Sequence, residues 1–199
     1  MKILAFSDIH RDTEAARSIV AASTDADVLV GAGDFANRGQ GAGEIIEILR
    51  TANRPTVLVS GNHDNSEELQ HLCSGWPQGH FLNAQPVTLA NITFFGLGGE
   101  IPQRNAAEWN EAISEEEASK ALACCPSNAI LVTHMPPFGH ADLQRDGTHD
   151  GSKSIAAAIE RKQPVLHFCG HIHSAWGMCG KIGTTPVHNL GPTVNWFEL

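Results

Sequence analysis

Short apolar runs alternate with amphipathic stretches along the whole chain. Residues 2–7 are almost uninterrupted apolar and stop at Asp8, the pattern of a strand buried on both faces. Asp12 or Thr13 is placed to cap a helix ending near residue 23. Residues 27–31 and 55–60 form two further strand-like runs. Between them, residues 43–52 carry Ile45, Ile46, Ile48 and Leu49 on the apolar face of a helix. A short helix is predicted over 66–72, and two or three β segments over 80–98. Ser114 with Glu117 makes a capping box, which predicts a helix over 115–123. Residues 128–133 read as a strand, 154–161 as a helix and 164–169 as a strand. Residues 175–199, punctuated by Gly and Pro, read as terminal β-hairpins. With no linker, repeat or break in composition, residues 1–199 are expected to form a single domain of α/β class.

Composition narrows the function classes. No apolar stretch is long enough to span a bilayer, and the first apolar run meets an acid too soon for a secretory leader, so a cytoplasmic location is expected. The five cysteines are odd in number and contain no Cys-x-x-Cys pair, which favours reduced thiols over a disulfide framework or a zinc ribbon. Thirteen Lys and Arg against 22 Asp and Glu leave a net charge of −9. Strong nucleic-acid binding is therefore not expected, because it needs a basic footprint. An anionic substrate would need local attraction, which bound metal could supply.

Histidine is the conspicuous residue, with eleven copies. Asp8-Ile9-His10 follows the first predicted strand, Gly33-Asp34 the second, and Gly61-Asn62-His63-Asp64 the third. His134 follows the strand over 128–133, and Gly170-His171-Ile172-His173 the strand over 164–169. Ligands of open α/β sheets bind beyond the carboxyl ends of strands, so five such motifs should converge. Carboxylate oxygen mixed with imidazole suits Mn, Fe, Zn or Co better than Ca. Asp8 and His10 point the same way along an extended segment, and Asp34 has two oxygens with which to bridge. The glycines at 33, 61 and 170 are expected to permit sharp turns.

Together these motifs resemble the calcineurin-like metallophosphoesterase superfamily, whose blocks Asp-x-His, Gly-Asp, Gly-Asn-His-Asp/Glu, His and Gly-His-x-His occur here in order between residues 8 and 173. The resemblance implies a four-layer sandwich of two mixed β-sheets flanked by helices, with a dinuclear centre of two divalent metal ions, Mn or Fe foremost. Carried over by position, Asp8, His10, Asp34 and His173 would hold one ion, and Asp34, Asn62, His134 and His171 the other. The implied reaction is hydrolysis of a phosphate ester by metal-bound hydroxide. His63 would be the catalytic residue, hydrogen-bonding the phosphate or protonating the leaving oxygen.

The run from 133 to 173 resembles small members grouped with cyclic-nucleotide phosphodiesterase-like enzymes, which tilts the expected substrate toward a small-molecule phosphodiester. A phosphomonoesterase, a nuclease of the same superfamily and a non-catalytic scaffold are the alternatives. Asp64 would orient His63 or cap the helix near 66. Gly33 to Gly39 resembles the Gly-Asp-x-x-Asp-Arg-Gly block of protein Ser/Thr phosphatases, but departs at Asn37. Ser60 stands where those enzymes carry a phosphate-binding Arg. Arg38 is thus either a phosphate ligand or a solvated loop residue. Of the tryptophans, read otherwise as packing residues, Trp109 lies where it could line the site. Residues 135–151 are expected to lack secondary structure. They would form a partial lid bringing His140 or His149 to the substrate and turning the next helix N-terminus toward an anion. The plainer reading is that Ser152 or Ser154 simply caps that helix.

Overall fold

The computed structural model describes residues 1–199. Two sheets stack face to face, with helices on both outer faces. The first sheet has the order β11-β1-β2-β3-β4 and contains β1 (Lys2–Phe6), β2 (Val28–Gly31), β3 (Thr56–Leu58), β4 (Gly79–Phe81) and β11 (Asn195–Glu198). The second has the order β5-β6-β7-β8-β10-β9. It contains β5 (Gln85–Leu89), β6 (Ile92–Leu97), β7 (Ile130–Thr133), β8 (Leu166–Cys169), β9 (Cys179–Ile182) and β10 (Thr185–Asn189). Strands β1 to β4 run parallel, as do β6, β7, β8 and β10, while β11, β5 and β9 pair antiparallel at the edges. The sheets are therefore mixed, as the sequence predicts.

The period-2 alternation of side chains along a strand sorts the core into three layers. In β1, Ile3 and Ala5 face the second sheet and pack with Val28, Val57, Phe94, Ile130 and Phe168. Leu4 and Phe6 face outward onto α1 (Thr13–Ala22), α2 (Ala42–Arg50) and α3 (Ser66–Ser74), through Ile19, Ile45, Leu49 and Leu69. The outer face of the second sheet receives α4 (Glu115–Leu122) and α5 (Lys153–Lys162) through Ala118, Leu122, Ile155 and Ile159. The central strands β1, β2, β7 and β8 thus satisfy two apolar layers, which is why their sequences read as nearly continuous hydrophobic runs, whereas the edge strands β5, β9 and β11 are half-exposed. No helix is long and apolar enough to cross a membrane.

The caps read from sequence are present. Asp12 accepts the N–H groups of Glu14 and Ala15, and Ser114 and Glu117 form the reciprocal capping box. One expectation changes at the C-terminus. Residues 179–189 do make a hairpin, but β11 leaves it to pair with β1 in the other sheet, Ile3 opposite Phe197.

Candidate metal centre

The loops after β1 and β2 are zipped together by backbone hydrogen bonds, Asp8 N–H to Gly33 C=O at 2.9 Å and His10 N–H to Asp34 C=O at 2.8 Å. Asp8, His10 and Asp34, and His171 across the site, lie in the left-handed region, with φ of 56°, 44°, 60° and 66°, so residues 8–10 form a turn rather than the extended segment expected. Each such non-glycine residue costs about 1–2 kcal/mol, and clustered strain of this kind belongs to functional loops. Of the three motif glycines, only Gly33 needs its conformation, with φ 93°. Gly61 and Gly170 are required for space instead: a Cβ there would collide with the Asp34 and Asp8 carboxylates.

The predicted ligands come together as two groups sharing Asp34. His10 Nε2 lies 3.3 Å from Asp34 Oδ2 and 3.3 Å from His173 Nε2, which is itself 3.7 Å from Asp8 Oδ1. On the other side, His134 Nε2 lies 3.4 Å from the same Asp34 oxygen, 3.2 Å from Asn62 Oδ1 and 3.3 Å from His171 Nδ1. Asn62 Oδ1 and His171 Nδ1 are 3.1 Å apart. His134 donates Nδ1–H to the Ala32 carbonyl at 2.8 Å, so Nε2 is the ring nitrogen that faces the cluster.

Electrostatics make the same case. Burial alone would raise the Asp34 carboxyl, but the charges of His134, His10 and His63 outweigh it and hold Asp34 well below the usual carboxylate range. Burial would lower His134, yet Asp34 and Asp8 push its ring up to about 10. Buried oxygen donors facing imidazole nitrogens at these separations would share protons unless cations replaced them. The donor set fits divalent transition ions, with Asp34 Oδ2 at the junction of the two groups.

His63 sits beside the cluster, half-buried, with a ring nitrogen within 4.8 Å of the His10 and Asp34 donor atoms. Its Nδ1 accepts the Arg38 backbone N–H at 3.1 Å. The neutral ring therefore carries its proton on Nε2. Burial, aided by His10, His134 and Arg38, lowers its pKa against the pull of Asp34. Of the two roles expected for His63, this geometry suits hydrogen-bond donation from a neutral ring. Trp109 covers His63, ring centroids 4.5 Å apart, and also lies under the Arg38 guanidinium.

Asp64 takes neither role expected of it. It does not touch His63, and Asn65 rather than Asp64 caps α3. Its Oδ2 accepts the N–H groups of Asp34 at 2.8 Å and Gly61 at 2.7 Å, and its Oδ1 that of Ala36 at 2.7 Å. Asp64 thus ties two motif loops together from beneath. Burial and the Asp34 charge push its carboxyl up to about 7, against the Gly61 and Ala36 N–H groups.

The 135–151 segment is a fixed wall rather than a free lid. Buried Asp142 accepts the N–H groups of Gly139 and Gly151, each at 2.9 Å, and pairs with His149 Nδ1 at 2.6 Å. Arg104 clamps Asp150 at 2.7 Å. Between this wall and the centre lies a polar cavity of about 730 Å³, with Gln144, Arg145 and Thr148 facing His171 and His173. His149 is turned to Asp142 and does not line it. The structure does not bring His140 to the centre either; it lines a different hollow with Lys153 and Glu160. The start of α5 does not await an anion. Ser152 caps Ile155, and Glu115 accepts the N–H groups of Lys153 and Ser154.

Three contributors escape a motif reading. Trp176 donates to Asp8 Oδ2 at 3.2 Å and stacks on His173 at 4.3 Å. Asn110 accepts the Asn62 Nδ2 proton at 2.9 Å and donates to Glu100 at 2.9 Å. Glu100 also approaches His171 Nε2 at 4.0 Å. Glu100 and Asn110 are marked only by their burial, which is invisible before folding.

Comparison with known proteins gives the family and the fold. A UPF0046 protein of Caenorhabditis elegans is 29% identical over 211 residues, covering 93% of this chain and 68% of the relative. A Synechococcus protein named "Probable cyclic nucleotide phosphodiesterase" is 23% identical over 161 residues, covering 75% of this chain and 59% of its own length. The crystal structure of the Thermus thermophilus protein TT1561 superposes with a TM-score of 0.77 at 20% identity, covering 99% of this chain and 98% of that one; this likeness concerns the fold. The profile of the family described as "Calcineurin-like phosphoesterase" matches residues 1–175, and with that match the chain belongs to the calcineurin-like phosphoesterases, metal-dependent hydrolases of phosphate esters.

Proposed function

We propose that the chain is a dinuclear phosphodiesterase acting on a small-molecule or nucleotide-type diester. The observation that carries the dinuclear reading is the position of Asp34 Oδ2, 3.3 Å from His10 and 3.4 Å from His134, each of which heads a separate donor group. Asp8, His10, Asp34 and His173 are proposed to hold one ion, and Asp34, Asn62, His134 and His171 the other. Mn or Fe suits the mixed oxygen and imidazole donors. When bound, the pair activates water and neutralises charge on the phosphoryl oxygens. His63, neutral with Nε2–H, donates to a phosphoryl or leaving oxygen as charge builds there. Trp109 and the Arg38 N–H hold its ring in that orientation.

Two features favour a diester over a monoester. The Ser60 hydroxyl, where the protein phosphatases carry an Arg, is tied to Glu111 at 2.7 Å and offers no charge to a dianion. The cavity beside His171 and His173 leaves room for a second ester substituent. The name of the Synechococcus relative points the same way. The net charge of −9 argues against a nuclease. The five cysteines, none of them bridged, suit a reducing compartment, and the cytoplasm is the proposed place of action. Residues 1–199 are proposed to form a single domain, since β11 returns to pair with β1 in the first sheet. The test is hydrolysis of bis-p-nitrophenyl and p-nitrophenyl phosphate by chelated and Mn²⁺-loaded protein. Metal-dependent turnover with the diester ahead supports the proposal; a clear monoester preference contradicts its substrate class.

A further inference from the structure

A second hollow reaches the centre at His63. It measures about 400 Å³ and is lined by Arg11, Asn37, Arg38, Gln40 and His63, without a hydrophobic side chain. Two of its five walls are therefore permanent cations. Neither meets a carboxylate, which holds equally for Arg17, Arg54, Arg145 and Arg161; what sets Arg11 and Arg38 apart is that they share one hollow that no acidic side chain lines. In a chain of net charge −9, two guanidinium groups and no acid make the lining of this hollow locally cationic.

Both arginines are exposed, and each packs against one neighbour. Each sits on a left-handed backbone, φ 67° at Arg11 and 52° at Arg38. The Arg11 N–H is fixed to the Phe35 carbonyl at 3.0 Å. Its side chain lies across Gly41, where an added Cβ would come within 2.7 Å of Arg11 Cδ. The Arg38 guanidinium lies 5.8 Å over the Trp109 ring. Asn37 and Gln40 close the end of the hollow through paired backbone hydrogen bonds at 3.0 and 3.2 Å. Guanidinium forks suit the oxygens of a phosphate or carboxylate, and an arginine with no carboxylate partner has its donors to offer.

The geometry points to a subsite in which Arg11 and Arg38 bind a second anionic group of the substrate, a phosphate or carboxylate next to the one being hydrolysed. This rests on the phosphoesterase reading of the centre, and it deepens it: the natural substrate is a phosphate ester carrying an additional terminal anion. The hollow holds one such group and no large apolar one. The wide cavity at His171 and His173 would take the remainder.

The test compares methyl propyl phosphate, a diester, with the bisphosphate that carries a further phosphate on its propyl C3, by calorimetric titration of Mn²⁺-loaded protein. Wild type is expected to bind the bisphosphate about tenfold or more tightly than methyl propyl phosphate, the scale of a charged hydrogen-bonded contact. Arg11→Gln with Arg38→Gln should remove that advantage, while Arg17→Gln on α1 should leave it intact. Melting temperatures within a few degrees of wild type would show that the variants are folded. Equal binding of the two probes by wild type, no binding of either, or an advantage that survives in the double variant would overturn the subsite. Metal-dependent hydrolysis of bis-p-nitrophenyl phosphate, measured on the same preparation, tests the centre separately. If that activity is present and the bisphosphate gains nothing, the subsite alone is wrong.

Discussion

Asn62 Nδ2 donates to Asn110 Oδ1 at 2.9 Å, and this contact settles which end of the Asn62 amide faces the imidazoles. Asn110 cannot turn over, because its own Nδ2 donates to Glu100 at 2.9 Å and to the Asn105 carbonyl at 3.2 Å. Asn62 Oδ1 is therefore aimed at His134 and His171. Asn110→Leu should lower metal affinity about 10–100-fold, the usual effect of cutting a ligand's outer support. Competition against a chromogenic chelator would measure this, and unchanged affinity would show that Asn62 is oriented by something else.

Asp64 should matter through the backbone. Asp64→Ala leaves three N–H groups without acceptors at Asp34, Ala36 and Gly61. At about 1–3 kcal/mol for each unsatisfied buried donor, a loss of several kcal/mol is expected, visible as a lower urea midpoint. Full stability of this variant would mean that water replaces the carboxylate.

His63→Ala should retain the metal ions and lose about 10²–10⁴ in kcat, the scale of help from a positioned proton donor. Metal content and turnover measured on one sample separate the two effects. Loss of the ions instead would move His63 from the reaction to the support of Asn62 or Asp34.

A buried histidine away from the centre should shape acid stability. Thr133 Oγ1 gives its proton to the Met135 carbonyl, so His167 Nε2 must donate to Thr133, which leaves Nδ1 as a buried acceptor with no partner. Burial, with the nearby charge of His188, lowers the His167 pKa to about 3. A folded pKa below the unfolded value of about 6.5 means that the unfolded chain binds the proton first. Stability from this group is whole above pH 6.5 and falls as pH drops toward 3, by up to about 1.4 kcal/mol per pH unit. His167→Phe should flatten that decline between pH 7 and 5 in urea unfolding. An unaltered slope would assign acid sensitivity elsewhere.

The convergence of the candidate residues was legible because each of their motifs comes soon after a strand, so local sequence order and strand direction suffice to bring Asp8, Asp34, Asn62, His134 and His171 together. The parts that were not legible depend on contacts between distant, irregular segments. Glu100 and Asn110 lie in the stretch between β6 and α4, where no periodicity marks a buried face. Asp64 reads as a motif member, but its bonds run to the backbone of a loop thirty residues earlier. The α5 start looked free for an anion because its partner, Glu115, belongs to α4. β11 looked like half of a hairpin because its pairing with β1 spans the whole chain.

The central claim is that Asp34 joins two ions, and the most direct measurement is metal stoichiometry. Protein stripped by chelator, reloaded with Mn²⁺ and analysed by mass spectrometry should contain about two ions per chain for wild type. Asp34→Asn should fall to about one or fewer, with diester hydrolysis lost in parallel. A wild type that saturates at one ion, or an Asp34→Asn protein that keeps two and turns over normally, would contradict the account.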